Sequence, residues 1–512
     1  MSVGTVVKEG RAARIQPFDM AGVERHRDGI LRYADRPASL VAMLRRSVES
    51  VPGEEAIVEL GGERITYQQL WDRAARVAGG LRDQGIHGGD RVAVELGNGL
   101  DWCVAFFAIL MAGGVAVPVN TRFAPPEIEY VLGDSGAAYS FRPGIPLPDG
   151  DPLAVEASPS DLAAIFYTSG TTGFPKGAML THACFLSNTE TCRRVAELPD
   201  EGGLRNLVSV PLFHVTGCNS QLLPTLELRG TTVIMPTFEV QAFIRAAQDE
   251  RIDILTSVPA VFWLATTQPN FKDHDWRGVR WVTYGGAPCP PELIRRMREG
   301  FPNARLGNGF GLTETSSVAT FLPDRYCEAR PETVGFAAPV VELDLAAEDP
   351  GGRVGELLVR APNVVAGYWN KPEATAETFV GGWLHTGDLA RLDEDGFCQI
   401  VDRIKDMINR GGENVYSVEV ENALMEHPAV FEVAVLAVPD AMMGEKVGAV
   451  VVPTPGARFD AGELAGFARE RLADFKVPQF VSVRTAPLPR NPGGKVLKPT
   501  LRQETDWGRP VW

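Results

Sequence analysis

The sequence has no cysteine framework. Its seven cysteines, Cys103, Cys184, Cys192, Cys218, Cys289, Cys327 and Cys398, are scattered without C-x-x-C spacing. This excludes a disulfide-stapled scaffold and a structural zinc site, and it fits reduced thiols in the cytoplasm. An excess of basic charge is also missing. The formal net charge is −15, which argues against a general nucleic-acid or anionic-membrane surface but leaves room for local basic pockets. Lys8, Arg11 and Arg14 have no apolar core after them, so no secretory signal is read there. The uncharged stretch Trp102 to Val119 is split by Gly113-Gly114 and Pro118. It reads as a buried helix and a strand over Val115 to Val119, with no transmembrane segment. No fixed-period repeat is present.

What is there is an ordinary globular mixture, 45% apolar and 22% charged over 512 residues, long enough for two or more domains. Its most informative stretch is Tyr167-Thr168-Ser169-Gly170-Thr171-Thr172-Gly173-Phe174-Pro175-Lys176-Gly177, directly after the apolar run Leu162 to Phe166. Glycines permit close backbone approach, hydroxyls donate hydrogen bonds and a lysine supplies charge, which together suit a polyphosphate. The stretch departs from the P-loop, which needs glycine where Pro175 stands and a hydroxyl where Gly177 stands.

Short apolar runs alternate with amphipathic stretches. Arg91 to Val94, Leu207 to Val210, Thr231 to Ile234, Ile254 to Ser257 and Val279 to Thr283 read as strands, while Gln68 to Gln84, which follows Arg64 to Tyr67, and Trp102 to Ala112 read as helices. That rhythm predicts an α/β architecture. Past Ile404 the pattern changes. A polar, glycine-rich Asp406 to Asn414 precedes a helix that Ser417 is expected to cap. Strand-like Val430 to Val438, Lys446 to Pro453 and Phe480 to Val483, with a helix over Ala461 to Ala473, complete a small α+β module. The expected division is a peripheral extension over 1–35, a large multi-subdomain body over 36–404 and a C-terminal domain over 405–512.

Further segments sharpen the anion-loop reading. Tyr284-Gly285-Gly286-Ala287-Pro288 is narrow enough to pass a planar ligand. Asn308-Gly309-Phe310-Gly311-Leu312-Thr313-Glu314 sets a hydroxyl beside a carboxylate. Trp383-Leu384-His385-Thr386-Gly387-Asp388 offers a second carboxylate, and Pro489 to Lys498 carries lysines on a glycine loop. Each alone is ordinary turn or surface chemistry. Their combination over residues 50–503, with Asp402-Arg403-Ile404-Lys405-Asp406 and Gly494-Lys495, resembles the adenylate-forming acyl-CoA synthetase superfamily.

The resemblance implies two half-reactions. A carboxylate attacks the α-phosphorus of ATP and releases pyrophosphate. The thiol of coenzyme A then displaces AMP. Thr168, Ser169, Gly170, Thr171, Thr172, Gly173 and Lys176 would cradle the leaving phosphates. Thr313 would bond the α-phosphate and Glu314 would ligate Mg²⁺. Gly286, Ala287 and Pro288 would face adenine, with Asn308, Gly309, Phe310 and Gly311 beside the nucleotide. Asp388 would accept from the ribose hydroxyls, with Arg403 as its cationic partner. Lys495 would bridge the carboxylate and the α-phosphate, whereas Lys498 is read as a surface lysine. The small domain would be mobile about Lys405, withdrawing Lys495 and presenting Gly411-Gly412-Glu413-Asn414 for thiolation.

By the same resemblance His214 positions the carboxylate or gates the acyl tunnel, lined by Val215, Asn219, Tyr284, Gly309, Leu312 and Ser316. Gly309 leaves space for a ring or branch, so a cyclic, aromatic or medium-chain acid is expected. An amine in place of coenzyme A, giving an amide, stays open, as does transfer to a separate carrier. The expected partners are thus the acid and coenzyme A, with no nucleic acid, in a monomer or homodimer.

Overall fold

The computed structural model describes residues 13–168, 175–200, 202–346, 354–490 and 496–512. They form two compact units. The larger holds the described residues up to Asp344 with Val359–Leu384 and Asp393–Cys398; the smaller holds those of 345–358, 385–392 and 399–512.

In the larger unit, six parallel strands lie in the spatial order Glu55–Glu59, Thr231–Ile234, Arg205–Val208, Ile254–Ser257, Trp281–Gly285, Arg305–Phe310. The chain therefore steps to one side of Arg205–Val208, then returns and builds outward on the other side. Leu207, Val233, Leu255 and Val282 are fully buried, as strands covered on both faces require. A second sheet runs Tyr139–Phe141, Arg91–Val94, Val115–Pro118, Leu162–Thr168, Lys176–Thr181, parallel except for its last pair.

Helices Tyr67–Asp83, Leu100–Met111 and His182–Val195 join one core with residues of both sheets. The first starts where its sequence says it should. The Thr66 hydroxyl accepts from the Gln69 amide at 3.2 Å and the Gln69 side chain accepts from the Thr66 amide at 2.9 Å. The uncharged stretch expected to be core is core: Trp102 stacks on Phe106 at 5.3 Å and both are fully buried. No helix among the described residues is long and apolar enough to cross a membrane.

The peripheral extension is a docked element from residue 13 onward. Val23–Arg25 and Leu31–Tyr33 form a hairpin. The buried Tyr33 hydroxyl shares a 2.9 Å hydrogen bond with that of Thr191, and Arg194 donates to the carbonyls of Asp19 and Ala21.

In the smaller unit, Val430–Asp440 and Gly444–Pro453 form a long antiparallel pair, with Phe480–Val483 parallel beside the latter. Helices Ser417–Met425 and Ala461–Arg469 cover an apolar face of Val433, Val435, Val447, Ala449 and Val451. The glycine-rich stretch after Asp406 is a tight hairpin, Ile408–Arg410 against Glu413–Val415. Gly411 and Gly412, at φ +63° and +94°, make the two-residue turn.

Two expectations are corrected in this unit. Ser417 is the first helical residue after the N-cap Tyr416; its hydroxyl donates to Asp402 at 2.9 Å instead of capping the helix. Lys498 is not a surface lysine, because its ammonium lies 2.8 Å from Glu421 and 2.6 Å from the Ser417 hydroxyl. The sequence around Lys498 carries no sign of that buried partner.

Candidate functional site

Parallel strands leave their carboxyl ends open at the edge where the chain turns back, and ligands bind at that crevice. The order of the parallel strands, 1-3-2-4-5-6 in chain numbering, puts the turn-back between Arg205–Val208 and Ile254–Ser257. His214 follows the first of these strands, Gly286-Ala287-Pro288 follows Trp281–Gly285, and Thr313-Glu314 follows Arg305–Phe310. The larger unit thus brings the Gly286-Ala287-Pro288 strip, the hydroxyl-carboxylate pair and the histidine to one edge. A half-open depression lined by Trp281, Arg305, Leu306, Phe321 and Asp324 sits by the opposite ends of these strands and contains none of the candidate residues.

The loop after Phe310 is tightly determined. A Cβ on Gly311 would lie 1.4 Å from the Ser317 carbonyl oxygen, so only glycine passes there. Ser316 and Ser317 hold positive φ, +54° and +121°, the strained backbone that surroundings must enforce. Those surroundings are explicit: the Asn219 amide donates to the Ser316 carbonyl and hydroxyl at 3.0 Å each, Asn363 donates to the Thr315 carbonyl at 2.6 Å, and the Ser220 hydroxyl donates to that of Ser317 at 2.6 Å. Asn219 itself sits in a π-helical turn, Cys218–Leu222, a distortion frequent at functional sites. Its Oδ1 is buried without a hydrogen-bond partner among the described residues.

Thr168 and Lys176 face each other across the second sheet's antiparallel pair. The Lys176 ammonium stands 5.1 Å from the ring centre of Tyr368, and the Tyr368 hydroxyl donates to Glu314 Oε1 at 2.6 Å. Burial raises the Tyr368 phenol well above its ordinary value, and the Glu314 charge adds to this, so it remains a donor. Tyr368 escaped sequence reasoning; only its place after Gly367 in an Ala-Gly-Tyr-Trp turn singles it out. Ser169, Gly170, Thr171, Thr172, Gly173 and Lys495 lie outside the described residues.

His214 has its Nε2 buried without a hydrogen-bond partner among the described residues, and burial depresses its pKa to about 4, with Arg122 adding to the effect. It is a neutral imidazole at physiological pH. Val215 and Ser316 are buried, and Leu312 and Phe310 are half-buried. A Cβ on Gly309 would meet Phe321 at 3.7 Å, ordinary contact. The Asn308 amide holds the Thr333 carbonyl at 3.3 Å, a packing contact. Tyr284 is buried, with its hydroxyl near the Cys327 thiol.

In the smaller unit, Asp388 is nearly fully buried and its Oδ1 lies 2.9 Å from Arg403 Nε. Gly387 at φ +69° bends the strand, the Thr386 hydroxyl accepts from the Asp388 amide at 3.1 Å, and the Ile404 amide donates to the Gly387 carbonyl at 3.0 Å. Lys405 is exposed beside this pair.

Among the described residues, no group of three His, Cys, Asp or Glu side chains could hold a metal alone. Glu314 presents one carboxylate, the share Mg²⁺ takes when substrate phosphates and water supply its other oxygens.

Comparison with known proteins shows the family and the fold. The AMP-binding enzyme family model matches residues 44–153 and 140–369, and the model of the AMP-binding enzyme C-terminal domain matches 419–495. A feruloyl-CoA synthase from Amycolatopsis is 37% identical over 87% of this chain and 95% of its own length. The o-succinylbenzoate CoA synthetase of Bacillus subtilis, solved with its acyl-adenylate intermediate, superposes with a TM-score of 0.82 at 28% identity, covering 91% of this chain and 98% of that one. An amide bond synthetase from Marinactinospora thermotolerans gives a TM-score of 0.81 at 28% identity, over 91% and 99% of the two chains.

Proposed function

From the premise that this chain belongs to the AMP-binding enzyme family, we propose that it is an AMP-forming carboxylic acid–CoA ligase, joining an acid to coenzyme A through an acyl-adenylate. The observation that carries the reading is the constellation of Lys176, Tyr368 and Glu314, where a cation and a carboxylate are held near each other without neutralising each other. A polyphosphate with its divalent ion needs both.

The acid is already ionised near neutral pH, so the first half-reaction needs charge stabilisation more than a base. Lys176, with the backbone and hydroxyls from Thr168 to Gly173, binds the departing phosphates. Thr313 bonds the α-phosphate. Glu314 ligates Mg²⁺, which when bound offsets the repulsion among phosphate oxygens. Lys495 draws the carboxylate and the α-phosphate together. His214, neutral, orients the acid by hydrogen bonding and does not pair with it ionically. Gly286, Ala287 and Pro288 face adenine, with Phe310 beside it, and Asp388 with Arg403 takes the ribose. Lys405 is the pivot between half-reactions; Lys405→Pro should slow thiolation of supplied acyl-adenylate more than its formation, and equal losses would refute the pivot.

The acyl pocket draws on His214, Val215, Asn219, Gly309, Leu312 and Ser316, with Tyr284 in the wall behind. Room at Gly309 and a polar Asn219–Ser316 end favour a cyclic or aromatic acid, with a medium-chain acid next. Likeness to an amide bond synthetase supports a second reading, capture of the adenylate by an amine. A panel of carboxylates scored for pyrophosphate, acyl-CoA and amide decides between them. Acid-dependent pyrophosphate release without thioester at saturating coenzyme A would reject the ligase reading. A cytoplasmic location fits the seven free cysteines, and cell fractionation tests it. Light scattering distinguishes monomer from homodimer.

A further inference from the structure

Tyr368 is fixed by more contacts than a packing residue needs. Its backbone bridges to Ala178, and the flanking Trp369 amide donates to the Gly177 carbonyl at 2.7 Å. Upstream, the Val365 amide donates to the Glu314 carbonyl at 2.9 Å, and the Met179 amide donates to the Gly367 carbonyl at 3.0 Å. Segment 365–369 therefore ties the Lys176 strand to the Glu314 turn. Gly367 is required in it, because at φ +140° a Cβ would also lie 2.6 Å from Thr375. The Thr375 hydroxyl in turn accepts from the Tyr368 amide at 3.0 Å. The side chain that this clamp delivers is 7% exposed, with Phe379 against its ring at 5.7 Å.

Two ends of one side chain then meet two opposite charges. The hydroxyl occupies Glu314 Oε1, leaving Oε2 without a hydrogen bond or ion pair among the described residues. The ring face receives the Lys176 ammonium. A ring face holds an ammonium by about 0.5–1 kcal/mol at an accessible site, little enough for phosphate to win it away. A neutral hydroxyl on one carboxylate oxygen fixes the carboxylate's orientation without cancelling its charge. Partners of this kind behind a metal ligand change metal affinity about 10–100-fold.

We propose that Tyr368 is a positioning residue for nucleotide and metal: its hydroxyl aims Glu314 at the divalent cation, and its ring parks Lys176 until phosphate arrives. This rests on the assignment of Glu314 as the metal ligand. The test uses the full-length protein saturated with α,β-methylene-ATP and titrated with Mn²⁺, free Mn²⁺ being read by electron paramagnetic resonance. Tyr368→Phe should weaken Mn²⁺ binding about tenfold, and in the Glu314→Gln background it should weaken it no further. Without metal, Tyr368→Phe should bind the nucleotide as the parent does, while Tyr368→Leu, in which phosphate no longer competes with the ring for Lys176, binds it about two- to fivefold more tightly. The Phe variant keeps the ring and serves as the test should the Leu variant melt early. Wild-type Mn²⁺ affinity in Tyr368→Phe alongside a loss in Glu314→Gln would overturn the role of Tyr368 alone. Wild-type affinity in Glu314→Gln would overturn the metal assignment and this proposal together.

Discussion

Two constellations in this molecule use the same three kinds of group, a lysine, a glutamate and a hydroxyl, to opposite ends. In the larger unit Lys176 and Glu314 are separated by the ring and hydroxyl of Tyr368. In the smaller unit Lys498 lies directly on Glu421 at 2.8 Å, and Ser417 joins the lysine to Asp402. Asp402 takes up further amide protons from Arg403 and Ser417, and Glu421 accepts from the Val435 amide at 2.8 Å. There the charges satisfy each other and knit strand, helix and C-terminal segment together. Around Glu314 they are held apart, and a ligand of mixed charge can satisfy both. Whether a lysine and a glutamate form a site depends on what stands between them.

The comparison breaks most visibly at the glutamates. Glu314→Gln should lower the rate of acyl-adenylate formation roughly 10²–10³-fold, the size seen when a single electrostatic stabiliser of a transition state is lost, with an unchanged melting temperature. Glu421→Gln should show the reverse ordering, a lower melting temperature with a smaller rate loss; matched behaviour of the two would erase the distinction.

Lys498→Met leaves Glu421 without its cation and should cost about 3–5 kcal/mol in urea unfolding, whereas the double variant with Glu421→Leu recovers most of that. A cost below about 0.5 kcal/mol for the single change would mark the pair as a surface interaction after all.

Acid gives a third, intermediate effect. Burial holds His182 and His214 at pKa values of about 4, below the ordinary 6.5. Below pH 6.5 the unfolded chain takes up protons that the folded chain refuses. Their contribution is complete above 6.5 and falls progressively down to about 4, on the order of 3 kcal/mol per histidine. Melting temperature followed from pH 7 to 4.5 should decline, and His182→Gln should flatten the decline without touching the Lys176–Glu314 region. An equally steep decline in that variant would refute the assignment.

The smallest effect sharpens the acyl end. Gly309→Ala meets Phe321 only at ordinary contact distance, so stability should change by less than about 0.5 kcal/mol. Preference among acids should shift toward slimmer ones, by about tenfold or more per group excluded. Unaltered preference would remove Gly309 from the pocket.

Much of the fold was legible because short β-branched runs between turns leave few alternatives. Thr231–Ile234, Ile254–Ser257 and Phe480–Val483 stand where the sequence places strands. The family, and with it the chemistry, could be read from the loops carrying Lys176 and Glu314. What stayed hidden was pairing across the chain. Tyr368 meets Glu314 from 54 residues away and Lys498 meets Ser417 from 81. Spacing along a sequence holds no trace of such contacts. Ser417 looked like a helix cap for the same reason: local chemistry suits it, but Asp402, 15 residues upstream, takes both its amide and its hydroxyl.

The claim on which everything else depends is that this chain forms an acyl-adenylate with the Lys176–Glu314 pair. Exchange of labelled pyrophosphate into ATP, measured without coenzyme A, reports that step alone. Exchange should require a carboxylic acid and be lost in Glu314→Gln. Exchange that is absent from the parent with every acid of the panel, or that persists undiminished in the variant, would contradict the claim.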